Sequence, residues 1–146
     1  MKKRSKKLGR IVSLASSEER RWGEKAGKSR QRLDEQRARL GELNAYRQNY
    51  AQQNVAAHVS SAQLKDYKHF LQRLDEAVSA QRQIIQDSER NYETVRRHWM
   101  QKRQRRESLE RVLDKHLRTE AAWEDRLEQK KLDDLPPPAP SYSDEE

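Results

Sequence analysis

The sequence contains side chains that catalysis and metal binding use, but their spacing suits neither chemistry. The four histidines, His58, His69, His98 and His116, are 11, 29 and 18 residues apart, so no pair has the i, i+4 spacing that puts two ligands on one helical face. Cysteine is absent, which excludes a thiolate nucleophile, a disulfide and a cysteine-based zinc site. There is also no glycine-rich phosphate loop, no HExxH and no nucleophile elbow. We therefore expect no enzyme activity, no cofactor, no metal site and no small-molecule ligand.

The composition favours long helices over a layered globular core. Of the 146 residues 38% are charged and only 32% are hydrophobic, and the mean hydropathy is -1.37. All four prolines lie at Pro136 or later, so a long stretch of chain is free of helix breakers. The formal net charge of +8 favours anionic partners or a solvated basic surface. These features argue against an α/β enzyme, a β-sandwich and a disulfide scaffold.

The second half of the chain has a sustained heptad pattern. With Leu64 as position a, 13 of the 20 a and d positions over ten heptads are apolar, which predicts a long helix in a left-handed coiled coil. The a positions are Leu64, Leu71, Val78, Ile85, Tyr92, Trp99, Arg106, Leu113, Glu120 and Leu127. The d positions are Tyr67, Leu74, Gln81, Ser88, Val95, Lys102, Leu109, His116, Trp123 and Lys130.

The first half carries a weaker frame, and a turn separates the two halves. Its apolar a and d positions are Leu8, Val12, Ala15, Trp22, Ala26, Leu33, Leu40, Leu43 and Tyr50. Residues 52–61 do not continue the heptads, and Ser60 with Gln63 has the spacing of a capping box at a helix start. Helices joined by a short connection pack as antiparallel neighbours.

The expected fold is all-α, an antiparallel two-helix coiled-coil hairpin whose second helix is the longer. We place the helices at about residues 10–55 and 61–135 and the turn at about 56–60. Residues 1–9 are expected to be a basic, partly disordered start, and residues 136–146 a disordered acidic, Pro-rich tail. With the turn near residue 59, residue i faces approximately residue 118 minus i, so that residues beyond about 110 would lack a partner helix.

An apolar surface wider than one seam is expected near the turn. Phe70, Ala77 and Ile84 recur at position g, and Tyr46 occupies g on the first helix. The 118-minus-i rule brings Leu43, Tyr46, Tyr50, Phe70, Leu74 and Ala77 together. A two-helix seam does not need this width, which favours docking of another protein there over a thicker seam.

Several segments resemble the flagellar export protein FliJ family. They are YKHFLQRLDEAVSAQ at 67–81, the pair Tyr46 and Tyr50, RLEQKKLDDL at 126–135, Trp99 with the basic run after it, and RIVSLASSEER at 10–20. Their order and spacing around one turn carry the resemblance, which covers about residues 8–135. Residues 1–7 and the Pro-rich tail lie outside it.

The resemblance implies a fold, partners and binding residues. It implies an antiparallel two-helix coiled coil in the bacterial cytoplasm, held peripherally at the inner face of the cell membrane through its partners. Those partners are the export ATPase FliI, the export gate protein FlhA and the export chaperones of late substrates. The implied gate-binding surface is Leu43, Tyr46, Tyr50, Phe70, Leu74, Ala77 and Gln81. The implied segment inside the ATPase ring includes Trp123, Leu127, Gln129, Lys130 and Asp133.

Three alternatives stay open at this point. A stalk protein of a virulence type III secretion system would have the same architecture. A basic coiled-coil nucleic-acid binder could use Lys2 to Arg10 and the KRQRR run at 102–106. However, no aromatic residue for stacking lies among the N-terminal Lys and Arg residues. Residues 1–15 could also bind a membrane surface. Such binding would be weak, since these residues contain few large apolar side chains. The resemblance itself implies no contact with nucleic acid.

Overall fold

The computed structural model describes residues 2–55 and 60–138, and these form two long helices. Helix α1 spans Lys2–Val55 with 54 residues, and helix α2 spans Ser61–Asp133 with 73 residues. Among the described residues there is no strand, and no helix is long and apolar enough to cross a membrane. Side-chain contacts run in opposite directions along the two helices, so the predicted antiparallel helical hairpin is confirmed.

Both ends of α2 follow local chemistry. The Ser60 hydroxyl accepts a hydrogen bond from the Gln63 amide at 3.3 Å, and the Ser60 amide donates to Gln63 Oε1 at 3.2 Å. This is the predicted capping box. At the other end Asp133 is the last helical residue, and residues 136–138 have no regular structure, as expected for consecutive prolines. The remainder of the predicted tail, residues 139–146, lies outside the described residues.

Helix α1 begins at Lys2, well before the predicted start at about residue 10. Lys and Arg are good helix formers, and the segment contains no proline to stop the helix. Leu8 and Val12 are half-buried against the rest of the fold, so packing also stabilises these turns. The basic segment therefore presents its charges from a helix.

The chain divides into two compact units, which are described separately. The turn unit is Ser16–Gln104 and is named for the turn predicted at about 56–60, of which residues 56–59 lie outside the described residues. The terminal unit consists of the described parts of Met1–Ala15 and Arg105–Glu146.

The heptad frame forms the core of the turn unit. The buried side chains all occupy predicted a or d positions, and Leu33 is the most deeply buried at 2% exposure. The other buried members of this seam are Ala26, Ser29, Leu74, Val78, Gln81 and Ile85. The 118-minus-i rule places residues 68, 82 and 96 opposite Tyr50, Gln36 and Trp22. The residues found there are Tyr67, Gln81 and His98, so the predicted register is correct to within two residues.

Polar residues in this seam bond across it. Gln81 Nε2 donates to the backbone oxygen of Gln36 at 2.9 Å and to its Oε1 at 2.8 Å. Asn91 Nδ2 donates to the Ser29 hydroxyl at 3.0 Å. Because a buried polar group is costly without a partner, these bonds favour one register over slipped alternatives.

The terminal unit has a looser seam that continues further than predicted. Leu109, Leu113, His116 and Glu120 are half-buried, and Arg4 of α1 lines a shallow cleft with residues 112–120 of α2. The prediction that residues beyond about 110 lack a partner is therefore wrong. The error follows from the helix start, since the extra turns of α1 supply a facing helix.

Candidate partner-binding surfaces

An aromatic cluster lies next to the turn, where both helices contribute rings. Tyr50 packs on Phe70 with ring centroids 4.4 Å apart and stacks on Tyr67 at 5.4 Å. Tyr46 meets Phe70 edge-on at 6.2 Å. Offset and edge-to-face contacts of this kind hold aromatic rings in defined orientations. The cluster brings together the aromatic members of the predicted gate-binding surface, which we call the turn patch: Leu43, Tyr46, Tyr50, Phe70, Leu74, Ala77 and Gln81.

The turn patch is partly open to solvent. Tyr46 is the most exposed of its members, at 53%, while Leu43, Tyr50, Phe70 and Ala77 are half-buried. A half-exposed aromatic ring that packs on a second ring is a favourable anchor for a protein partner, because the contact restricts its orientation.

Two members of the turn patch are directed into the seam. Leu74 and Gln81 are each 8% exposed, and the Gln81 side-chain amide donates its two hydrogen bonds to Gln36. In this structure they support the patch from between the helices and present almost no surface. Both are d positions, so the heptad frame already indicated their burial.

Two residues near the turn were not included in the predicted surface. Tyr67 stacks on Tyr50 and therefore belongs to the aromatic cluster, and Leu64 is 45% exposed at the start of α2. The frame assigned both to the seam, and proximity to the turn was the signal that could have added them. An ion pair between Arg47 and Asp75 links the helices beside the patch.

The predicted ATPase-binding residues lie in the last turns of α2. We call residues 121–133 the end segment, and every residue in it is exposed. Trp123 is 51% exposed and Leu127 is 40% exposed, and Gln129, Lys130 and Asp133 are exposed beside them. The heptad frame thus continues into a segment whose apolar positions are exposed.

Within residues 2–55 and 60–138 no group of three or more His, Cys, Asp or Glu side chains could hold a metal ion. A depression of about 490 Å³ beside Trp99 and Gly23 in the turn unit is shallow and open. Exposed rings and aliphatic side chains on a helical scaffold are suited to binding other proteins.

Comparisons with known proteins point to one family. The family model described as flagellar FliJ protein matches residues 4–136. The flagellar FliJ protein of Escherichia coli (strain K12) is 26% identical over 92 residues, which is 63% of this chain and 62% of that protein. The chain thus aligns with less than two thirds of this relative's length. No solved structure matches. Because the family model covers nearly the whole chain, the chain belongs to the flagellar FliJ protein family.

Proposed function

We propose that this protein is a non-catalytic component of the flagellar protein export apparatus that links the export ATPase FliI to the export gate protein FlhA. Family membership supports the flagellar setting, and favours it over a virulence secretion system. The single observation that carries a linking role is that each unit has exposed apolar side chains of its own, in the turn patch and in the end segment.

In this proposal the turn patch binds the gate. Tyr46 supplies an exposed ring that meets Phe70 edge-on, and Tyr50 packs on Phe70 in turn. Burial of such a ring in a partner's pocket removes apolar surface from water at little entropic cost, since the ring is already ordered.

The end segment would bind the ATPase ring. Trp123 and Leu127 offer apolar contact, and the Lys and Asp side chains near them offer charge complementarity. With both surfaces occupied, changes in the nucleotide-driven ring are passed through the two-helix protein to the gate. The protein itself binds no nucleotide in this mechanism. The same proposal includes recognition of late-substrate export chaperones and a position at the inner face of the membrane. It assigns no surface of the protein to either role.

The test measures affinity of the full-length chain for purified FliI and for the purified cytoplasmic domain of FlhA. Tyr46→Ala should weaken gate binding by about 1–3 kcal/mol and leave ATPase binding unchanged. Trp123→Ala should weaken ATPase binding and leave gate binding unchanged. Ile84→Ala is the matched control, because Ile84 is 44% exposed on the same helical side as Phe70 but lies outside the turn patch.

Circular dichroism of each variant separates lost binding from lost helix. Unchanged gate affinity in both Tyr46→Ala and Phe70→Ala would remove the turn patch from the mechanism. Unchanged ATPase affinity in Trp123→Ala and Leu127→Ala would remove the end segment.

A further inference from the structure

The start of α1 concentrates positive charge on an ordered helix. Residues 1–10 contain six Lys or Arg and no Asp or Glu. The side chains of Lys3, Arg4, Lys6, Lys7 and Arg10 are all exposed. Because α1 begins at Lys2, these charges project from fixed positions on a helix, where a flexible segment would spread them over a larger volume.

Two uncovered apolar side chains share a face with these bases. Leu14 is 68% exposed, and Ile11 is 37% exposed three residues before it. Lys7 lies four residues before Ile11 and seven before Leu14, so the three side chains follow one side of the helix. The packed side of the same turns is a different one, formed by Leu8, Val12 and Ala15.

We propose that this basic face of α1 binds directly to the surface of an anionic lipid bilayer. The Lys and Arg side chains would lie among lipid phosphates, while Ile11 and Leu14 would enter the boundary between headgroups and acyl chains. Nucleic acid could satisfy the same charges, but it would leave the two aliphatic side chains uncovered. Residues 2–14 also contain no aromatic side chain for base stacking.

This inference does not depend on the proposed contacts with FliI and FlhA. It assigns the protein its own affinity for a membrane. With only two exposed apolar side chains on the face, binding is expected to be weak, reversible and lost as salt screens the charges.

The experiment is flotation of the full-length chain with lipid vesicles at low salt. Vesicles of phosphatidylcholine alone are compared with vesicles that also contain phosphatidylglycerol. The test variant is Lys3→Gln/Lys6→Gln/Lys7→Gln, and the control is Lys65→Gln/Lys68→Gln/Arg73→Gln, which loses the same charge at exposed positions near the turn. We expect roughly tenfold or greater weakening in the test variant and about twofold or less in the control.

A second pair of variants separates lipid from nucleic acid. Leu14→Ser should weaken binding to anionic vesicles about threefold or more at constant charge, whereas Leu132→Ser, at a residue of similar exposure (67%), should not. Equal binding to both kinds of vesicle, or equal weakening by the test and control variants, would overturn the proposal. So would capture of duplex DNA with no vesicle binding, because the bases would then serve nucleic acid.

Discussion

The same heptad frame has two different outcomes in α2. In the turn unit, Leu74, Val78 and Ile85 occupy the frame and are buried against α1. In the end segment, Trp123 and Leu127 occupy the same frame and stay exposed. The pattern therefore identifies the helical face that can pack, while the presence of a facing helix decides whether it does.

The two regions must derive their stability differently. Packing across the seam stabilises α2 in the turn unit, with Gln81 and Asn91 adding hydrogen bonds to α1. Every side chain of the end segment is exposed, so its helix depends more on favourable residues such as Glu, Leu, Lys and Arg. A partner that covers its apolar face would add the missing contacts.

The sharpest test of this difference truncates leucine in each region. Leu33→Ala should destabilise the protein by about 2–4 kcal/mol, because a side chain with 2% exposure leaves a cavity. Leu127→Ala should change the free energy of unfolding by about 0.5 kcal/mol or less. Urea unfolding followed by circular dichroism measures both. Comparable losses in the two variants would mean that the end segment is packed in solution.

A smaller effect is expected from the polar part of the seam. Gln81→Ala removes two hydrogen bonds to Gln36 and should cost about 1–2 kcal/mol. Gln83→Ala is the matched control, since Gln83 is exposed and its amide bonds to Asp87 of the same helix. The difference in unfolding midpoint between the two variants gives the result. A midpoint for Gln81→Ala no lower than that of the control would show that these bonds do not stabilise the seam.

Two glycines of α1 should differ in how they tolerate a methyl group. At Gly27 an added Cβ meets nothing within 4 Å, so Gly27→Ala should stabilise the helix by about 0.5–1 kcal/mol. At Gly23 the added Cβ would lie 3.1 Å from Trp99 Nε1, so displacement of the indole should cancel most of that gain. Thermal unfolding of each variant is the measurement. Equal gains would indicate that Trp99 moves aside without cost.

The smallest effect concerns a cross-helix ion pair. Arg37 Nη2 lies 3.1 Å from Glu89 Oε1, and both side chains are about half exposed. A double-mutant cycle with Arg37→Gln and Glu89→Gln should give a coupling of about 0.2–1 kcal/mol. Repeating the cycle at high salt should reduce it. A coupling that is larger and insensitive to salt would mean that the pair is shielded from water.

Most of the seam was predictable because it depends on a period. From Tyr67 to Glu120 every predicted a and d position of α2 is buried or half-buried. The position at which α1 begins was not predictable, because residues 2–7 contain no apolar side chain to mark a helical face. The helix there follows from the propensity of Lys and Arg and from packing of the turns after it.

The candidate binding surfaces were predictable only in part. The rings of Tyr46, Tyr50 and Phe70 lie together as the register predicts, whereas the role of the surface in binding stays a prediction. Their exposure could not be predicted in the same way. Tyr46 and Leu74 both lie on the apolar face of their helices, yet Tyr46 is half exposed and Leu74 is buried. Side-chain direction around the helix separates them, and sequence spacing describes that only approximately.

The sequence by itself determined the two helices, their antiparallel pairing and the register of the seam, because these depend on local propensity, a capping box and the heptad period. Only the tertiary structure decided which apolar positions are covered. Coverage depends on where the facing helix begins and on how closely each side chain approaches it, and neither is a property of a single segment.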